Sequence, residues 1–444
     1  MKINSTRSVA YLAAALVSAL LSCAAALADG ISSTGIFIDQ AYSQGFNSTS
    51  FTGITYAGLG FALTTPTGYG SATVTTPTGT VLSFPGTPQP ALDGSYQVWY
   101  YTQAGAAGDS PTQSIAALNQ TFPVGIYSFT ETLTNGSTLT STLNYDSDHW
   151  PEVVDNTSQV AVPSLTAASY LALQGMKAGQ PQTITFNGFT GDGAPLPNNP
   201  GEIEPSTQLA IYNYSTQQLV YQSPALPDST TSLVFPADTL QPHTEYLYDL
   251  TFTNFLHCPP NPACEAGGPN GFSLNFSTNT SGTFLTLAAP PSGTTEVSIQ
   301  GGTLADPTPL QSEGRIGQVD GSIGGEGAVD FYRFYWNGGE FEADAQLYGA
   351  NPEGEYDFDL YGASGILLDS ITLDAADNFG ADLALDLAQG SDYEVGLVAD
   401  SAYDPNLSIT FMTPLAGVPE PATLGLLGAG LVGIFLIRRR RSTG

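Results

Sequence analysis

The sequence predicts an all-β chain of tandem β-sandwich-like domains. Threonine, serine, tyrosine and phenylalanine alternate with apolar residues through most of it, the pattern of strands with one buried face. Glycine (49 residues) and proline (31) punctuate those runs, as a chain of short strands and tight turns requires. Lysine and arginine together number nine against 40 acids, a balance unlike that of helical enzymes. Two apolar flanks frame the strands, so an N-terminal signal helix and a C-terminal transmembrane helix are expected at the ends.

At the front, Lys2 and Arg7 precede an apolar run over residues 9–21, and Ala26-Leu27-Ala28 supplies the small residues of a signal-peptidase site. Residues 1–28 therefore read as a signal peptide, with the mature chain beginning near Asp29. Leu20-Leu21-Ser22-Cys23 loosely resembles a lipoprotein cleavage box, which leaves lipidation of Cys23 as the alternative.

Residues 29–158 read as a first β-sandwich-like domain, with short strands expected at 35–39, 72–75, 96–101, 126–132 and 137–143. Alternation puts Trp99 and Tyr101 on one face of their strand and Val98 and Tyr100 on the other, so one ring-bearing face must turn inward. Phe122-Pro-Val-Gly-Ile-Tyr127 sets a tyrosine just after a proline-glycine turn, as sandwich corners do.

Residues 160–287 form a second unit, with strands expected at 182–189, 208–214, 219–222, 232–235 and 272–277. Within it, Leu240-Gln-Pro-His-Thr-Glu-Tyr246 resembles the corner of fibronectin type III-like or immunoglobulin-like sandwiches. That resemblance implies a tyrosine hydroxyl tied to the turn backbone while its ring joins the core. Cys258 and Cys264 are the only thiols left once the leader is removed, and an oxidising compartment favours a disulfide between them. His257 beside Cys258 invites a metal reading, but a zinc site needs four ligands and no others of matching spacing are near, so no metal is expected.

After a Pro290-Pro-Ser-Gly293 linker, residues 295–413 make the third unit. Its segments 321–334, 356–365 and 387–396 resemble the bacterial pre-peptidase C-terminal domain, which implies a β-sandwich and no activity of its own. Alternation explains the same residues directly: in Asp357-Phe-Asp-Leu-Tyr361, Phe358 and Leu360 face one side while Asp357 and Asp359 face the other.

The tail, residues 418–441, joins Pro419-Glu420-Pro421, an apolar run over 424–437, and Arg438, Arg439, Arg440 and Arg441. The two prolines stiffen the backbone around Glu420. Four consecutive arginines act as a stop-transfer signal and mark the cytoplasmic end. The apolar run of 14 residues is short for a hydrocarbon core of about 30 Å, which argues against a permanent single-pass anchor, the alternative reading. In order and position these features resemble the PEP-CTERM sorting signal of Gram-negative bacteria. The resemblance implies recognition of Pro419, Glu420 and Pro421 by an exosortase-type membrane enzyme, followed by cleavage nearby and delivery to the cell envelope or extracellular matrix.

Between leader and tail lie 39 acids and only Lys177, Arg315 and Arg333 as cations, a formal charge of −36. Such a surface repels nucleic acid and anionic lipid. No nucleophile elbow, zinc-protease helix, phosphate loop or dinucleotide fingerprint occurs, and His149, His243 and His257 lie in three unrelated contexts. Glu353, Glu355, Asp357 and Asp359, with Asp382, Asp386 and Asp392 further on, form the densest acidic stretch. Their spacing fits a solvated strand face better than a calcium loop.

The expected function is therefore that of a non-catalytic exported protein without cofactors. Its partners are the bacterial membrane, an exosortase-type enzyme and, as a candidate, extracellular polysaccharide, and its role is structural or adhesive. The alternative is a secreted hydrolase or carbohydrate-binding protein, in which paired carboxylates or aromatic residues such as Trp99, Tyr100, Tyr101, Phe334, Tyr335 and Trp336 meet a sugar.

Overall fold

A computed structural model describes residues 33–44, 51–65, 69–85, 89–90, 96–104, 111–151, 162–191, 202–258, 271–312, 315–324, 327–350, 354–362, 364–375, 379–399 and 405–415. The expected signal helix and C-terminal apolar run lie outside these residues. Among the described residues, no helix is long and apolar enough to cross a membrane. The chain divides into two compact units, each described on its own.

The first unit draws on Met1–Ser169, Gln182–Phe235 and Leu247–Thr283. Its elements, some running on past those bounds, are β1 (Ser33–Gln44), β2 (Phe51–Thr65), β3 (Tyr69–Thr75), β4 (Val81–Ser83), β5 (Gln89–Pro90), β6 (Tyr96–Gln103), α1 (Pro111–Thr121), β7 (Gly125–Leu133), β8 (Thr138–Tyr145), α2 (Ala167–Leu173), β9 (Gln182–Thr185), β10 (Glu202–Asn213), β11 (Leu219–Gln222), β12 (Leu226–Pro227), β13 (Ser232–Phe235), β14 (Glu245–Cys258) and β15 (Gly271–Leu285). A nine-stranded sheet in the order β11-β10-β14-β15-β1-β2-β6-β5, with β12 on β10, forms its backbone. A four-stranded sheet, β4-β3-β7-β8, and a two-stranded one, β13-β9, complete it.

Period-two alternation decides which face is buried. Ile36, Ile38 and Tyr42 of β1 join Leu59, Phe61 and Leu63 of β2, and Leu274 and Phe276 of β15, in one core with Val74, Phe129, Leu143 and Tyr145 of the four-stranded sheet. Phe189 stacks on Phe252 at 4.6 Å, and Tyr221 meets Phe235 edge-on at 4.8 Å. Buried Gln44 ties three segments together. Its amide donates to the Leu165 carbonyl at 2.9 Å, and its carbonyl accepts from the Leu165 N–H at 3.0 Å and the Tyr248 hydroxyl at 2.8 Å.

The sequence punctuation separated 29–158 from 160–287, whereas strands of both stretches share the nine-stranded sheet. The join is the parallel pairing of β1 with β15, from Ser33 opposite Gly271 to Ser43 opposite Ser281. A parallel pair has no hairpin between its members and so leaves no local mark in the sequence.

The second unit draws on Tyr170–Pro181, Pro236–Tyr246 and Phe284–Gly444. Its strands are β16 (Thr295–Ser298), β17 (Thr308–Pro309), β18 (Ile316–Ser322), β19 (Val329–Trp336), β20 (Gly339–Tyr348), β21 (Tyr356–Gly362), β22 (Leu367–Leu373), β23 (Gly380–Leu387), β24 (Ser391–Ala399) and β25 (Asn406–Leu415). They form two five-stranded sheets, β16-β18-β25-β20-β23 and β17-β19-β24-β21-β22. Phe334, Trp336, Phe341, Phe358, Leu360, Val395, Leu397, Ile409 and Phe411 belong to the core between them.

Three corners use a tyrosine hydroxyl. Tyr246 accepts the Gln241 N–H at 2.7 Å and stacks on Phe284 at 5.6 Å, as the corner motif implied. Tyr127 donates to the Pro123 carbonyl at 2.9 Å after the proline-glycine turn. The third, Tyr393, donates to the Ala388 carbonyl at 3.2 Å.

Candidate functional site

The sorting residues Pro419, Glu420 and Pro421 and the stop-transfer residues Arg438, Arg439, Arg440 and Arg441 lie outside the described residues. So do Cys264 and the side chains of Cys258, His257 and Trp99, and with them the expected disulfide.

The remaining histidines differ in setting. His149 is buried, with Nε2 3.0 Å from Ser147 Oγ and 3.5 Å from Asp146 Oδ1, and its ring meets Phe276 edge-on at 5.5 Å. His243 is exposed in its turn with φ 48°, and its N–H donates to the Leu287 carbonyl at 3.1 Å. Among the described residues, no group of three or more His, Cys, Asp or Glu is placed to hold a metal ion.

The acidic stretch divides among strands. Glu355 and Asp357 are exposed, and Asp357 accepts the Thr372 hydroxyl at 2.8 Å. Asp382 pairs across the sheet with Asp344, Asp386 with Glu340, and Asp392 with Tyr335. Glu353 lies outside the described residues. Asp359 departs from the expected solvated face: it is 5% exposed and accepts the Tyr361 hydroxyl at 3.1 Å. On that face Gly396 leaves room for the Phe331 ring, whose edge-on contact with Tyr361 at 5.6 Å builds an aromatic cover beside the carboxylate.

Four other acids carry more unusual chemistry than the stretch singled out in the sequence. Burial pushes Asp330 up to about 6, partly offset by hydrogen bonds from Tyr332 Oη at 2.7 Å and Gln300 Nε2 at 2.9 Å. Burial likewise raises Asp249 to about 6 against the opposing Asn279 amide, 3.1 Å away. Asp344 rises to about 6 by burial and by Asp382 opposite it. Asp320 is pushed to about 7, first by burial and then by Glu296. Lys177 Nζ contacts Glu296 Oε1 and lies 3.7 Å from Asp320 Oδ2. The only sequence signal for this set was the lysine itself, alone between leader and tail.

The aromatic candidates sort by parity. Val98 is buried and Tyr100 half-buried against Phe61 and Phe84, so that face points into the core. On the opposite face the rings of Tyr101 and Phe37 lie over Gly58 and Gly60, stacked with centroids 6.0 Å apart. Tyr101 donates to buried Asp39 at 3.3 Å, and burial with that carboxylate beside it raises the phenol far above its ordinary range. In the second unit Phe334 and Trp336 are core residues, while Tyr335 is 42% exposed beside exposed Arg333 and half-buried Glu394.

No curated protein matches the chain. Among solved structures, the pre-peptidase C-terminal domain of a Bacillus anthracis collagenase is 13% identical over 27% of this chain and 95% of its own, with a TM-score of 0.18. The FN1–FN3 domains of chicken CNTN1 are 10% identical over 85% of this chain and 94% of theirs, also at 0.18. A CBM35 from Cellvibrio japonicus Abf62 is 18% identical over 29% of this chain and 90% of its own, again at 0.18. Scores of this size carry no functional argument. At the C-terminus the match is to a defined family: residues 417–441 carry the PEP-CTERM protein-sorting motif.

Proposed function

We propose that this chain is a non-catalytic exported protein, handed by its C-terminal motif to an exosortase-type membrane enzyme and released to the cell envelope or extracellular matrix in a structural or adhesive role. The motif at 417–441 carries the reading, because it implies sorting at the membrane. The all-β body and the strongly acidic composition support a passive role. The test is fractionation of the native host with mass spectrometry of the C-terminus. Loss of the apolar run and arginines in an envelope or extracellular fraction is expected; an intact tail on protein in the cytosol overturns the reading.

Carbohydrate binding is the second reading, favoured by exposed Tyr335 with Arg333 and Glu394 on neighbouring positions of one sheet face. A pull-down on extracellular polysaccharide that Tyr335→Ala abolishes supports it. Release of reducing sugar points instead to a hydrolase.

A further inference from the structure

The cluster around Lys177 has the components of a condensation. Backbone hydrogen bonds fix the segment that carries it: Gly175 N–H donates to the Leu285 carbonyl at 2.9 Å, Leu287 N–H to Met176 at 3.0 Å, and Gln180 N–H to Lys177 at 3.1 Å. Gly175, at φ 72°, lies so close to the Tyr348 ring that an added Cβ would sit 2.9 Å from it. Asn406 Nδ2 holds the Gln174 carbonyl at 2.8 Å. The ammonium is thereby delivered to Glu296 on β16, whose Oε1 also accepts from Ser298 Oγ at 3.0 Å. Asp320 stands on the adjacent parallel strand β18, oriented by Gln318 Nε2 at 2.8 Å.

We propose that Lys177 and Glu296 join in a side-chain amide, with Asp320 as the proton carrier, giving the second unit an internal covalent cross-link. A proton passes from the Lys177 ammonium to the Glu296 carboxylate. The freed Nζ lone pair then forms a bond to Glu296 Cδ. Asp320 in its acid form protonates the departing oxygen, the C–O bond breaks, and water leaves. The Asp320 carboxylate recovers a proton from the nitrogen and ends as it began. In sum, one ammonium and one carboxylate become one amide and one water, with no change in oxidation state. Burial and the neighbouring Glu296 hold Asp320 near neutral pH at about 7, so its acid form is available for that role. Well-oriented intramolecular partners reach effective molarities of roughly 10⁵–10⁸ M, which offsets the reluctance of free amines and acids to condense in water. The competing description is an ion pair, since the Lys177 side chain is 41% exposed.

The experiment is peptic digestion of the full-length exported protein, followed by tandem mass spectrometry. A branched peptide joining residues 177 and 296, one water lighter than its two arms, is expected. Lys177→Arg keeps the positive charge and removes the branch. Asp320→Asn, verified as folded by circular dichroism, forms the branch about 100-fold or more slowly, the usual contribution of a positioned acid–base group. Recovery of both wild-type peptides linear and unmodified, or a branch at other residues, overturns the proposal. Undiminished branching in Asp320→Asn overturns the proton-carrier role.

Discussion

Replacing Phe334 by alanine tests the register of the second unit's sheets. Phe334 is 3% exposed, stacks on Phe341 at 5.1 Å and on Tyr393 at 6.0 Å, and meets Trp336 and Phe411 at 6.4 and 6.2 Å. With neighbours contributed by three other strands, the vacated space cannot close by a local shift, so a loss of about 3–5 kcal/mol is expected. For a unit of this size each kcal/mol lowers the melting temperature by roughly 2–4 °C, giving a fall of about 6–20 °C. The control is Tyr335→Ala, one residue along and 42% exposed, where the expected change stays within about 0.5 kcal/mol. A slip of one residue would exchange the two outcomes, because every side chain changes face. Differential scanning calorimetry of both variants reads the difference. Equal losses, or a larger loss at Tyr335, would refute the assigned register.

Other outcomes follow from particular groups. Asp249, Asp330 and Asp344 titrate near 6 and Asp320 near 7 in the fold, against an ordinary 3.8. The native state therefore holds more protons than the unfolded chain between those values. Their stabilising contribution is complete below about pH 4 and is lost as pH rises through 6 to 7. The melting temperature should be higher at pH 5 than at pH 7.5, with a smaller difference in Asp330→Asn; an opposite slope would contradict it. Gly396→Ala places a Cβ 2.3 Å from the Asp330 carbonyl oxygen and 2.7 Å from Phe331 Cα, backbone atoms that cannot swing aside. It should cost about 1–3 kcal/mol in urea unfolding. Glu420→Ala should leave unsorted protein in the membrane fraction, read by immunoblotting; normal release would remove Glu420 from the recognition motif.

The strand-level reading was legible where the signal is local. Strands expected at 219–222 and 232–235 have those bounds in the fold, and the corner built on Tyr246 forms the bond that its motif implied. Tyr393 makes a similar tie after Gln389-Gly390, a turn whose significance becomes visible only with the hydroxyl bond. Long-range relations were not legible. Gln182 was expected to begin a strand reaching 189, yet β9 ends at Thr185. Asp359 followed the alternation and still became buried, because a ring from another strand shares its face. The buried acids Asp249 and Asp330 and the half-buried Asp320 sit in ordinary strand patterns, and only three-dimensional neighbours distinguish them from surface aspartates. The sorting tail was the reverse case, since its meaning resides in linear order.

The parallel partnership of β1 and β15 also governs when the nine-stranded sheet can close. During secretion, β1 emerges early and carries one edge that nothing already outside can satisfy until Gly271–Leu285 arrives. Contacts spanning so much chain form slowly, and an open strand edge invites the wrong neighbour in the interval. Pairing with β2 covers only the other edge of β1, so an escort that shields the open edge would then govern the yield of correctly assembled protein.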